Sequence, residues 1–449
     1  MYFALSLAFY AIFCYNFGVR KHNPMKTKLS ILFVLLALLA LFVLSSCSNT
    51  PSVESRLAVS FTAYNEPSES FETIANLVKD KRIVILGECG HGDGRTFEIK
   101  SEIVRYLDSV GDYTLILEGM NPFDGAILNK EQPVLIINKS GLNIQNCWYG
   151  VWSWTKEAAE LADAMDKNQI DFYGMDVQPS YCSYFQIAYL SNLFYSDSIM
   201  KQGLFDYNWK RMLDIDRKLH QYNDSLINES DYPYYDSSLL AMRNKLSDND
   251  VSFNKDDVLL LIDNMLSFSN KAKCGFSITC DSCIDCGNMI RDRQMADNVA
   301  WYLNHHPEKK VIIWAANFNG AKAISQIKYG KEPNPDLYDK YTLLGEHLAN
   351  MFPNRVYSVA FTSGGGEVGY FNQDESYPVE PDSTSVELAL LHRDINYGYL
   401  DFSTHPEFED VPFHSILLGY HNKIGKWAKS FDAIFYIKEQ HKATQVIEE

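Results

Sequence analysis

Arg82-Ile83-Val84-Ile85-Leu86-Gly87-Glu88-Cys89-Gly90-His91-Gly92-Asp93-Gly94-Arg95-Thr96-Phe97-Glu98 carries the strand–loop–helix pattern from which the architecture follows. Ile83 to Leu86 form a short, β-branched apolar run, the pattern of a strand buried on both faces. Gly87 ends it. Glu88 and His91 then fall on a loop with glycines at 87, 90, 92 and 94, ahead of an amphipathic helix that begins near Phe97. Glycine lets such a loop take backbone conformations that a Cβ forbids. Open α/β sheets build active sites by placing polar side chains just past the ends of buried strands, and Glu88 and His91 are placed there.

The same alternation continues outward. Phe71, Ile74, Leu77 and Val78 make a helical stripe before the strand, and Ile99, Ile103, Leu107 and Val110 predict a helix over about 96–110. Tyr113 to Leu117 is the next buried strand, ending in Glu118-Gly119, so the segment reads as a βαβ unit with a parallel sheet and a right-handed crossover. A third strand, Ile170 to Gly174, leads to Asp176. Residues 181–290 are polar and Tyr-rich. Val258, Leu261, Ile262 and Met265 stand there at helical spacing, which predicts a helical insertion placed as a cap. Met295, Val299 and Tyr302 line another helix, and strands follow at Val311–Ala315 and Val356–Phe361, with weaker ones at 398–402 and 433–437. The expected architecture is an α/β domain over 71–440, with a parallel central sheet flanked by helices and the insertion at about 181–290.

The N-terminus reads as an address. Met25-Lys26-Thr27-Lys28 precedes an apolar run from Leu29 to Leu44, then Ser45-Ser46-Cys47. A basic segment, an apolar core and small residues describe a secretory signal. Leu44-Ser45-Ser46-Cys47 resembles a bacterial lipobox, which makes Met25 the expected true start, 1–46 a signal region and Cys47 the lipidated first residue. Residues 48–70, rich in Ser, Asn, Thr, Pro and Glu, are expected to be a tether. Without 1–46, 36 basic residues face 57 acidic ones, a net charge of −21. That charge repels phosphate backbones and anionic lipid, so the expectation is no nucleic-acid partner and membrane contact through the lipid alone, at the cell envelope.

Cys274, Cys280, Cys283 and Cys286 cluster in a thirteen-residue run. Disulfides are the expected state in an exported chain, and an iron–sulfur or zinc ligand set is the alternative. Cys89, Cys147 and Cys182 leave at least one thiol unpaired.

Lined up by strand end, Glu88 and His91, Glu118, Asp176 and Asn317 with Asn319 gather along one sheet edge, the default position for a site. A neutral histidine beside a carboxylate takes a proton from water. The plainer reading makes His91 a loop histidine capping a helix. The chain has no Gly-x-Ser-x-Gly elbow and no His-Glu-x-x-His motif, and no Lys-Ser/Thr follows Gly364-Gly365-Gly366, which reads as a turn. A neighbouring carboxylate makes Cys89 a poor nucleophile. Trp148, Trp152 and Trp154 are candidates for a hydrophobic pocket.

Gly87-Glu88-x-x-His91-Gly92, Leu117-Glu118, Tyr173-Gly174-x-Asp176, Arg291-Asp292-x-x-Met295-x-x-Asn298 and Trp314-Ala315-x-Asn317 resemble, in that order, the erythromycin esterase family. The resemblance implies metal- and cofactor-independent hydrolysis of a macrolide lactone by activated water. It makes His91 the base, Glu88 its orienting partner, Glu118 a lining residue, and Arg291 a binder of substrate or a developing oxyanion. Asp176, Asn317 and Trp152 join the candidate substrate-binding residues. Two positions depart from the macrolide-degrading pattern. His-Asn-x-His is replaced by Ala316-Asn317-Phe318-Asn319, and the basic residue of the first loop falls at Arg95.

The expectation is an envelope lipoprotein that hydrolyses a small-molecule ester or lactone, macrolide-like or envelope-derived. Two rivals stand beside it. One is a non-catalytic ligand-binding lipoprotein of the same fold, and the other a metal-dependent hydrolase with Glu88, His91 and Glu118 as ligands.

Overall fold

The computed structural model describes residues 51–129, 142–180, 182–202, 208–221, 226–274, 281–328 and 337–446. The expected signal region and Cys47 lie outside them, as do the side chains of Cys182, Cys280 and Cys283. The strands, in chain order, begin with β1 (Thr62–Tyr64), β2 (Ile83–Leu86), β3 (Tyr113–Leu117), β4 (Phe172–Gly174), β5 (Lys310–Trp314) and β6 (Ile327–Lys328). They continue with β7 (Val356–Ser363), β8 (Glu367–Val368), β9 (Tyr377–Pro378), β10 (Tyr397–Asp401), β11 (Phe413–Leu418), β12 (His421–Gly425) and β13 (Ala433–Ile437).

Eight of them form one sheet in the order β1-β10-β13-β7-β2-β5-β3-β4. The run from β13 to β4 is parallel throughout, and β10 and β1 complete one edge with antiparallel ladders. The fold is α/β with a mostly parallel central sheet. β2 and β3 do not pair, because β5 lies between them: Leu86 and Leu117 both face Trp314 in register.

Alternation explains why the central strands are apolar at every position. Val84, Leu86, Leu115, Leu117, Ile312 and Trp314 enter the core on one face. Ile83, Ile85, Ile116, Val311 and Ile313 enter a second core on the other. A parallel strand covered on both sides has no solvent face to leave polar. Full burial of each such side chain stabilises by about 1.5–3 kcal/mol.

The expected tether is corrected in part. Val53–Ser60 is a helix with Leu57 and Ala58 buried, Phe61 is buried after it, and Thr62–Tyr64 pairs with β10. Arg393 donates to the carbonyl of Ala58, and the Glu54 carboxylate accepts from the His414 backbone N–H. Three apolar side chains among many polar ones seat this segment, which composition alone could not reveal. At the other end, Ala443 N donates to Gly92 O and Lys156 N to Thr444 O, so the packed chain continues past 440.

Between β4 and β5 the described elements are helices, the longer ones being Gln186–Ser196, Trp209–Leu219, Asp231–Ser247, Lys255–Lys273 and Asp281–His305. The last runs without a break from the insertion into the segment carrying Arg291 and Asn298. None of the described helices is long and apolar enough to cross a membrane.

Candidate active site

β2, β3 and β4 deliver Glu88, Glu118 and Asp176 one or two residues beyond their ends, along one sheet edge. The β2 loop needs its first glycine because of β5. A Cβ on Gly87 would lie 2.1 Å from Asn317 Oδ1. The far side of the loop is held by the C-terminal segment, with Gly94 N donating to His441 O.

Glu88 is fully buried and surrounded by donors. Its Oε1 accepts from His91 Nδ1 at 2.9 Å and Trp152 Nε1 at 2.8 Å, and its Oε2 faces Lys100 Nζ at 2.5 Å. Burial opposes the charge on Glu88. Lys100 and His91 outweigh burial and hold the carboxyl below its ordinary value. An ionised carboxylate only accepts, so His91 presents N–H at Nδ1 and keeps its basic lone pair at Nε2. The imidazole side chain is 32% exposed, which leaves it reachable from solvent. Burial opposes its protonation, but Glu88 and, less strongly, Glu118 raise its pKa above the ordinary histidine value. Trp152 packs its ring edge-on against the imidazole, with centroids 5.0 Å apart.

Lys100 is the residue that reasoning from the sequence missed. It is fully buried, donates to Ala315 O at 3.2 Å, and sits 4.0 Å from the centre of the Trp314 ring. The signal was its place on the Gly94–Val110 helix, where Thr96, Lys100, Val104 and Leu107 share the buried face. Arg95, the expected basic residue of this loop, turns away to Glu98 and Tyr397.

A second charged group stands at the ends of β3 and β4. Arg291 reaches Glu118 Oε1 at 2.7 Å and Asp176 Oδ2 at 2.5 Å, and its Nε donates to Asp176 Oδ1 at 2.9 Å. Glu118 Oε2 accepts from Ala316 N at 3.1 Å. Asp176 also accepts from the backbone N–H groups of Gly119 and Gln178. Burial works against its charge, and Arg291 with these donors holds it low.

Three of the expected substrate contacts are engaged by other protein groups in this structure. Asp176 is buried and committed to Arg291. Trp152 is 1% exposed and acts on Glu88 rather than lining an open pocket. Asn317 donates to Phe361 O at 2.8 Å and Leu417 O at 2.7 Å and accepts from Phe361 N at 3.0 Å, so it ties β7 and β11 to the β5 end. Its neighbour Asn319 donates to Asp292 Oδ1, a buried carboxyl that burial pushes up to about 7. Burial first, then Asp93 and Glu387, raise the Cys89 thiol well above its ordinary value and keep it protonated, the weakly nucleophilic form.

Glu88, His91, Lys100, Glu118 and Arg291 make a carboxylate–histidine centre at the edge of a parallel α/β sheet. The chain belongs to the erythromycin esterase family, whose pattern matches residues 140–440. It is 23% identical to YbfO of Bacillus subtilis (strain 168), named as a hydrolase, over 77% of this chain and 80% of that one. It is also 23% identical to the erythromycin esterase type II of Escherichia coli, over 86% and 96%. Among solved structures, a mutant of the erythromycin esterase EreC in its open conformation shares the fold. The TM-score is 0.60 and the identity 14%, over 85% of this chain and 96% of that one.

Proposed function

We propose that this protein is a hydrolase of an ester or lactone, with His91 as the base that activates water. The observation that carries the reading is the hydrogen bond between His91 Nδ1 and the ionised Glu88, which leaves Nε2 as the basic atom of a solvent-reachable ring. Nε2 takes a proton from water as the oxygen attacks the acyl carbon. Glu88 stabilises the imidazolium that forms, and the same proton passes to the leaving alkoxide when the tetrahedral intermediate collapses. The products are a carboxylic acid and an alcohol. Lys100 keeps Glu88 ionised, and Arg291 holds Glu118 at the second strand end.

Family membership supports hydrolysis, and the names of the relatives support an ester as the bond cleaved. The absence of histidine at Ala316 and Asn319 favours a substrate other than a macrolide, such as an ester or lactone of the cell envelope, the location that the lipobox-like Leu44-Ser45-Ser46-Cys47 suggests. The metal-dependent alternative fits the donor set poorly. Lys100, Trp152 and His91 already surround Glu88, while Arg291 and Ala316 N surround Glu118.

The test is a panel of macrolides, lactones and simple esters incubated with the chain from Ser48 onward, with mass spectrometry reading the gain of one water. Hydrolysis lost in His91→Asn supports the reading. A ligand that binds tightly and is recovered intact overturns it in favour of a binding protein.

A further inference from the structure

The cysteine cluster has no part in the chemistry above, yet two of its members meet. Cys274 caps the Lys255–Lys273 helix, Cys286 lies in the second turn of the Asp281–His305 helix, and the Cys274 thiol is 2.9 Å from the Cys286 sulfur. The helices approach closely at this level. A Cβ on Gly287 would come within 3.4 Å of Lys271 Cγ and 3.6 Å of Cys274 Cβ. Both sulfurs are within reach of a redox partner in solvent, since Cys286 is exposed and Cys274 half-buried, whereas Cys89 and Cys147 are buried.

The position has consequences for the site. Arg291 follows Cys286 by five residues, about 7.5 Å along a helix axis. Beyond it, Ser267 donates to Gln294 at 2.7 Å, and Asn264 and Asn298 exchange a pair of side-chain hydrogen bonds at 2.9 and 2.7 Å. Asn298 also donates to Met175 O, next to Asp176. The turn bearing Arg291 is thus anchored to the neighbouring helix on its C-terminal side by these amides. On its N-terminal side stands the cysteine contact. Lys271, one turn before Cys274, has its pKa lowered first by burial and is near enough to Arg291 and Asp176 for their charges to act on it, Arg291 lowering its pKa and Asp176 raising it.

We propose that Cys274 and Cys286 form a disulfide that staples these two helices together and so positions Arg291 across Glu118 and Asp176. The oxidant is a disulfide carrier, of which glutathione disulfide is the simplest. The Cys286 thiolate attacks one carrier sulfur and expels the other as a thiolate. The Cys274 thiolate then displaces the carrier from the mixed disulfide. The pair loses two protons and two electrons, and the carrier leaves as two thiols. Closing this short loop removes freedom chiefly from the unfolded chain. The proposal does not depend on what the site hydrolyses.

The test uses the full chain equilibrated with glutathione disulfide, alkylated without reductant, digested and mapped. A peptide pair joined through Cys274 and Cys286 is expected. Reduction should then speed backbone amide exchange across 286–292 while β2 and β5 stay protected, and lower Tm by roughly 3 °C. The Cys274→Ser/Cys286→Ser variant should exchange at the faster rate with or without reductant. Alkylation of both cysteines, linkage of Cys286 to Cys280 or Cys283, or protection that a chelator alone removes would overturn the disulfide. A linked pair whose reduction leaves exchange at 286–292 unchanged would overturn the positioning of Arg291.

Discussion

Lys100 Nζ and Glu88 Oε2 stand 2.5 Å apart with both side chains fully buried, so each charge depends on the other. Breaking a buried pair by removing one partner costs about 3–5 kcal/mol, because the remaining charge is left uncompensated. Lys100→Met is therefore expected to lower the urea midpoint and to abolish turnover. The Glu88→Gln/Lys100→Met double variant should recover much of the stability and none of the activity. If Lys100→Met is as stable and active as the parent, Glu88 is not held by this ammonium.

Removing the proposed base should act on the chemical step. His91→Asn is expected to lower kcat by about 10²–10⁴-fold with little change in KM. Thermal melting should show the fold intact, since the ring is part-exposed and Trp152 and Lys100 still satisfy Glu88. A drop in kcat/KM carried entirely by KM would make His91 a binding residue.

The pH profile should be bell-shaped. His91 works unprotonated, and its pKa is raised from 6.5, so activity should rise with pH through a midpoint above 6.5. Lys100 works protonated, and burial lowers its pKa from 10.5 despite Glu88, so activity should fall again below 10.5. For stability the sign at His91 is the reverse of its activity limb. A raised folded pKa contributes stability that is full below about 6.5 and is lost as pH rises through the folded value. Rate–pH curves for the parent and Lys100→Arg test both limbs, and an alkaline limb unmoved in Lys100→Arg would remove Lys100 from it.

Asn317 predicts a purely structural phenotype. Asn317→Ala leaves Phe361 O, Leu417 O and Phe361 N without their side-chain partner. A buried group left unsatisfied costs about 1–3 kcal/mol. The denaturation midpoint should fall while turnover per folded molecule stays close to the parent's. Loss of kcat in fully folded protein would return Asn317 to the substrate site.

Ala316 and Asn319 test substrate choice. Asn319 meets Asp292, whose carboxyl is pushed up to about 7, and Ala316 offers its backbone N–H to Glu118. The Ala316→His/Asn319→His variant is expected to gain macrolide ring opening that the parent lacks, read as addition of one water. A folded variant with no gain would place the specificity difference elsewhere.

Which parts of the site were legible depends on distance along the chain. Glu88 with His91, and Glu118 with Asp176, could be placed because each follows a strand whose apolar run announces it, and parallel strands all end at the same sheet edge. Lys100 hid on a helical stripe, where a lysine ordinarily reads as a break in the apolar face. The partners of Asn317 could not be read from the sequence, because a polar residue past a strand end can serve either a ligand or a neighbouring backbone, and the approach of β7 and β11 is what gives it backbone partners. The helix at Val53–Ser60 was hidden by its polar composition, since a few apolar residues suffice when a preformed surface receives them.

The alternation of strand and helix, the mostly parallel sheet, and the carboxylate and imidazole at its edge are all written in the amino-acid pattern. These follow from periodicity, which is local and survives in any one segment. That β5 separates β2 from β3, that Lys100 rather than Arg95 faces Glu88, and that Arg291 spans Glu118 and Asp176 emerge only from the packed fold. Each joins residues far apart in the chain or chooses between side chains on different helix faces. Such choices are made by burial and charge pairing, which exist only once the sheet and its helices have packed.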